Sequence, residues 1–157
     1  MTSTEPERQL VLFSLHGEQY AFPIAAVREI IRYTPPSATA AVTGLITGLI
    51  NLRGRVVPIV DLSPRLGRQL EIDKRTRILV VEVANGVLGV IVDSVDGVRD
   101  IPADKIEPLP VAPSEAGLGD QIAAIGDRLI VLVDPERALG GILPAPRPAG
   151  PHPAGDP

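Results

Sequence analysis

Short β-branched runs, broken at close intervals by Gly, Pro and Asn-Gly signals, most constrain what this chain can fold into. It holds 17 Val and 15 Ile in 157 residues. Two heavy atoms on Cβ stiffen these side chains and suit them to pleated, packed strands. Leu10 to Leu15 and Gln19 to Phe22 read as strands turned at His16-Gly17-Glu18. Gly48 to Leu52 and Arg55 to Leu62 are joined at Arg53-Gly54, with Pro58 marking an edge or a bulge. Ile78 to Ala84 and Val87 to Val95 flank Asn85-Gly86, the preferred two-residue hairpin turn. Ile122 to Ile125 and Leu129 to Val133 flank Gly126-Asp127.

Helical signals are brief. Ile24 to Tyr33 has apolar residues at helix spacing, but Ile30-Ile31 favours one helical turn followed by a strand. Ser63 is placed to cap a turn that ends at Gly67, and Pro135 opens a short helix ending at Gly140-Gly141. About eight to ten short strands at this spacing predict small barrels or a sandwich. Runs such as Ile78-Leu79-Val80-Val81 are continuously apolar, which implies burial on both faces. Aromatics are only 3% and Trp is absent, so the core must be aliphatic.

Composition removes several chemistries. With no Cys there is no disulfide, thiol nucleophile or thiolate metal site. The two histidines, His16 and His152, form no metal cluster. A net charge of −4 argues against nucleic acid as a partner. The N-terminus lacks a secretory pattern, which makes a cytoplasmic protein the expectation. Tyr33 to Leu52 is free of charge and carries Gly44-Leu-Ile-Thr-Gly48, but Pro35 and Pro36 open it, so strands are expected rather than a membrane span. No nucleophile elbow or phosphate loop occurs, and Gly117-Leu118-Gly119 lacks a third glycine. Asp93, Asp96, Asp100 and Asp104 have the wrong spacing for a calcium loop, and Asp96-Gly97 reads as a turn. Asp61, Asp93 and Asp134 fall where strands end. No catalytic residue, metal or cofactor is expected. Residues 1–8 are expected to be disordered, as is the Pro-rich tail 141–157.

The stretch GLINLRGRVVPIVDL resembles the signature hairpin of CheW-like domains, the chemotaxis coupling proteins. Residues 19–30, 89–110 and 124–139 resemble the family's early segment, later hairpin arm and closing strands in the same order. The resemblance therefore covers about residues 9–140. It implies a mainly β fold of two five-stranded SH3-like barrels on a shared hydrophobic core, with a few short helices. It also implies a non-enzymatic adaptor at cytoplasmic arrays, coupling methyl-accepting chemoreceptors to the regulatory domain of the histidine kinase CheA. Other CheW-like domains in rings are further implied partners, without membrane insertion. A related array controlling pili, biofilm or another non-flagellar output is the alternative.

Matched by position, the implied receptor-binding residues are Val27, Glu29, Ile30, Gly48, Asn51, Arg53, Gly54, Gly89 and Val98. Ile78 and Leu79 are the expected kinase-binding residues. Read without the resemblance, Val27, Ile30 and Val98 fit an ordinary core, and the three glycines fit backbone geometry. Arg53 and Glu29 stand out because a charge among apolar neighbours needs a partner.

Overall fold

The computed structural model describes residues 7–38, 45–110, 118, 119 and 121–143. The chain runs β1 (Glu7–Leu15), β2 (Glu18–Pro23), a 3-10 turn (Ile24–Ala26), β3 (Val27–Arg32), β4 (Ile46–Leu52) and β5 (Arg55–Val60). After a 3-10 turn at Ser63–Leu66 come β6 (Arg77–Val83), β7 (Gly86–Val92) and β8 (Ser94–Pro102). A turn at Ala103–Lys105 leads to β9 (Ile106–Pro108), β10 (Gln121–Ile125), β11 (Arg128–Leu132), α1 (Pro135–Leu139) and a last turn at Gly140–Ile142.

The strands form two sheets, ordered β8-β1-β2-β11-β10-β9 and β3-β6-β7-β5-β4. The outer strands of the first, β8 and β9, are joined by the three residues Ala103–Lys105. A flat six-stranded sheet would hold them about 24 Å apart, whereas that link spans at most about 14 Å. The sheet must therefore curl into a barrel. It has six strands rather than the expected five because the turn splits one closing arm into β8, paired with β1, and β9, paired with β10. The second sheet curls likewise. Ser37, just after β3, exchanges both backbone hydrogen bonds with Leu49 of β4, at 2.8 and 3.0 Å.

That exchange also explains Pro58. Leu49 spends its N–H and C=O on Ser37, so its pairing with Pro58 is of the non-hydrogen-bonded kind. The proline nitrogen then faces β7, whose pairing with β5 starts only at Ile59. No ladder bond is lost.

Both faces of the central strands are covered. On β6, Ile78 and Val80 enter the second barrel's interior with Ile59 and Ile91. Leu79 and Val81 enter the core between the barrels, together with Val11, Phe13 and Phe22 from the first sheet. Leu10, Leu12 and Ala21 fill the first barrel with Ile130 and Leu132. Ile78 and Leu79 are both 0% exposed. The expectation that they bind a kinase is therefore corrected: no partner reaches them, because their apolar run belongs to a strand buried on both sides.

Local readings shift where tertiary bonds intervene. Val83 pairs with Gly86, so the β6–β7 loop is Ala84-Asn85, one residue earlier than expected. There the Ala84 N–H donates to Glu136 Oε1 at 2.7 Å. Val87 to Val95 is not one strand. At Asp93 the chain crosses sheets, its N–H donating to Ser14 O and its carboxylate accepting from the His16 N–H. Asp96 is no turn but the extra residue of a bulge in β8, since Leu12 pairs with Gly97 and Phe13 with Val95. Ser63 makes no capping bond; its hydroxyl meets His16 Nε2 at 2.7 Å.

The chain ends also differ from expectation. Glu7 and Arg8 belong to β1, because β8 extends to Pro102 and supplies their pairing partners. Gly140 continues into a turn, and Ile142 and Leu143 pack on the inter-barrel core. The expectations for 1–6 and 144–157 lie outside the described residues, as do Gly44 and Gly117. Among the described residues no helix is long and apolar enough to cross a membrane.

Leu79→Ala should lower unfolding free energy by about 3 kcal/mol in urea titration, the cost of a cavity in a closed core. An unchanged midpoint would contradict its burial. A chain ending at Gly141 should be less stable than one ending at Leu143 by about 2 kcal/mol, because Ile142 and Leu143 lose their packing. Equal melts would show that these two contacts carry no weight.

Candidate functional site: the closing hairpin of the second barrel

The β4–β5 hairpin has a two-residue turn, Arg53-Gly54, flanked by the pair Leu52 and Arg55. Their φ angles are 52° and 85°. Left-handed backbone at both central positions matches the right-handed twist of the strands, and glycine adopts it freely. Arginine does not, because its Cβ crowds the carbonyl. Asn51 steadies the turn, its Oδ1 accepting the Gly54 N–H at 2.8 Å.

From this turn the Arg53 guanidinium reaches β3, on the opposite edge of the sheet, and forms an ion pair with Glu29. The Arg53 side chain is 70% exposed and that of Glu29 28%. An ion pair so exposed adds little stability, about 0–1 kcal/mol. A small cavity of about 190 Å³ lies beside it, walled by Arg28, Leu52, Val57 and Val87 among others. Arg28 is itself 3.3 Å from Glu82. The result is a charged rim over the aliphatic mouth of the second barrel.

The expected site residues divide by position. Glu29, Asn51, Arg53 and Gly54 come together at the hairpin tip. Gly48 and Gly89 lie deeper and serve close packing. A Cβ at Gly48 would stand 2.7 Å from Ser37 O, and one at Gly89 would stand 2.7 Å from both Ile59 and Ile78 side chains. Val27 packs partly on the inter-barrel core.

Ile30 and Val98 form a second group. Ile30 pairs with Leu79, and Val98 with Val11. Both partners belong to the inter-barrel core, and directly paired residues share a face. Ile30 and Val98 thus stand on the seam side of outer strands, 43% and 52% exposed. Both are apolar side chains left open beside a closed core.

A polar cluster on the surface of the first sheet escaped sequence reasoning. Asp96 accepts from Ser14 Oγ, Gln19 Nε2 and Ser94 Oγ at 2.7, 3.0 and 3.1 Å. With His16–Ser63 and His16–Asp93, these bonds tie hairpin β1–β2 to both flanking connections. Apart from Ser94–Asp96, the bonded residues lie far apart in sequence and left no local pattern to find. Charge is also divided. Segment 24–92 carries nine Arg or Lys against five Asp or Glu; the remaining described residues carry five against ten.

Comparison with known proteins adds independent findings. The CheW-like domain family model matches residues 9–142. Chemotaxis protein CheW of Klebsiella aerogenes is 33% identical over 139 residues, covering 84% of this chain and 81% of that protein. Chemotaxis protein CheW of Rhizobium meliloti is 36% identical over 134 residues, covering 83% and 86%. The crystal structure of scaffolding protein TtCheW from Thermoanaerobacter tengcongensis superposes with a TM-score of 0.73 at 32% identity, covering 82% of this chain and 89% of that one.

The turn geometry separates backbone from side chain. Arg53→Asn should leave the urea midpoint unchanged or raise it, since Asn tolerates the left-handed region. Arg53→Val should cost about 1 kcal/mol or more, because a β-branched residue does not. Equal midpoints for the two would mean that the turn relaxes out of this geometry.

Proposed function

This chain belongs to the CheW-like domain family, and on that premise we propose that it couples chemoreceptor cytoplasmic tips to the regulatory domain of the histidine kinase CheA. It is a chemotaxis adaptor, acting by protein–protein binding. The observation that carries the receptor surface is Arg53: a turn position that favours glycine or asparagine holds a long cation at conformational cost. The ion pair it makes is too exposed to offset that cost by much. The side chain is therefore placed to serve a contact outside the chain.

The planar fork of Arg53 presents several N–H donors to carbonyl or carboxylate groups of a helical receptor hairpin. Glu29 holds it in place from β3. Ile30 and Val98, open on the seam side, supply apolar contact for the same helices. Kinase binding belongs to surface elements other than Ile78 and Leu79. In this reading the protein works without catalytic turnover, in the cytoplasm, at membrane-associated arrays that also hold other CheW-like domains.

Surface plasmon resonance against a receptor signalling-tip fragment and a CheA regulatory domain tests this. Arg53→Asn should weaken receptor binding roughly tenfold, equivalent to about 1.4 kcal/mol, with kinase binding unchanged. Arg53→Lys should recover part of the loss, keeping charge without the fork. Normal receptor binding by Arg53→Asn would put the receptor surface elsewhere. Failure of the parent chain to bind either partner would sink the adaptor reading.

A further inference from the structure

At the far end of β3 from Glu29, two arginines face each other. Arg32 on β3 pairs directly with Arg77 on β6. Such neighbours have Cβ atoms about 5 Å apart, and like charges there are unfavourable. The loop before β6 adds Lys74. Among the described residues, no carboxylate lies within 4.0 Å of Arg32, Lys74 or Arg77 as an ion-pair partner; Asp73 is engaged with Arg75 at 3.7 Å.

The loop is rigidly built. Asp73 N–H donates to Thr76 Oγ1 at 2.8 Å, Thr76 N–H to Asp73 O at 3.1 Å, and Arg75 N–H to Asp73 Oδ1 at 2.7 Å. Thr76 is 1% exposed. The Arg77 NH1 donates to the carbonyls of Lys74 and Thr76 at 2.9 and 3.0 Å, which fixes its guanidinium plane. With that nitrogen occupied by carbonyls, the remaining N–H groups of Arg77 have no acidic partner. Arg32, Tyr33, Asp73, Lys74, Thr76 and Arg77 line a cavity of about 350 Å³. Burial, and then the nearby Asp61, raises the pKa of Tyr33.

We propose that this cavity binds a phosphate-class oxyanion. Three cations, one of them locked by backbone carbonyls, against the single carboxylate of Asp73, which is itself paired with Arg75, leave the cavity net positive and match a doubly charged tetrahedral group better than a single carboxylate. The bound anion relieves the repulsion between Arg32 and Arg77. The volume leaves room for a substituent on the phosphate, so free phosphate and a phosphomonoester are both accommodated. The site is independent of the receptor surface at Arg53.

Sodium phosphate, sodium pyrophosphate and AMP are each titrated into the full chain, with ionic strength held constant by sodium chloride. Binding is read from phosphorus-31 line broadening and calorimetry. At least one probe should bind saturably; phosphate and pyrophosphate without AMP would mark an inorganic anion site, and AMP the tightest a phosphomonoester site. Arg32→Gln and Arg77→Gln should each weaken the best probe about tenfold, the loss of one charge-assisted contact. Arg99→Gln, on the other barrel, should not. A second signature is a change of sign: in phosphate-free buffer Arg32→Gln should melt higher than the parent, and saturating probe should reverse the order. No saturable binding by any probe, or equal binding by the parent and both variants, overturns the proposal.

Discussion

Alternate side chains of β1 and β6 belong to different cores, and the rest of the structure depends on that division. Leu10 and Leu12 fill the first barrel while Val11 and Phe13 fill the seam. Ile78 and Val80 fill the second barrel while Leu79 and Val81 meet Phe13 and Phe22 at the seam. A strand with two apolar faces is not covered by an open sheet exposed to water; in the finished fold a barrel interior covers one face and the seam the other. Aromatic residues are few, yet Phe13, Tyr20 and Phe22 all lie at the seam, the Tyr20 ring centroid 5.8 Å and that of Phe22 4.8 Å from Phe13. Their large apolar area is placed where the two barrels must recognise one another.

Once the seam is closed, its outer strands define what remains for partners. Ile30 and Val98 continue the seam's apolar faces to the surface. The hairpin tip adds a directed charge, Arg53, held by a turn that its neighbours Asn51 and Gly54 stabilise. In the proposed reading, apolar contact at these strands and polar complementarity at the hairpin tip would act together in choosing a partner.

Much of this was legible in the sequence because it is encoded locally. The hairpin turns at Arg53-Gly54 and Gly126-Asp127 stand where turn chemistry puts them, and the one expected at His16-Gly17-Glu18 differs only in that Glu18 joins β2. Ile78-Leu79-Val80-Val81 announced double burial, although the same run was misread as a partner surface. What could not be read is set by distant bonds. Glu136 moves the β6–β7 loop by accepting from Ala84, and the Asp96 bulge is defined by its opposition to β1. The closing arm splits at Ala103–Lys105, a change of direction that β1 and β10 impose on either side. Of the site, Glu29 and Arg53, each picked out as a charge in need of a partner, pair with one another, whereas Gly89 matters for the fit of Ile59 and Ile78.

The two barrels differ in how the chain supplies them. All five strands of the second come from one uninterrupted stretch, Val27 to Val92. The first takes β1 and β2 from the beginning of the chain and β8 to β11 from its end, and β2 lies parallel against β11. During synthesis the second barrel can therefore assemble as soon as β7 emerges, whereas the first must wait for β11. In that interval the β1–β2 hairpin, with Phe13 and Phe22, has only the finished barrel's seam face to cover it. Chain order thus leaves the N-terminal hairpin waiting longest for its partner strands, and a seam face already formed would give its aromatic side chains cover while those strand edges are unpaired.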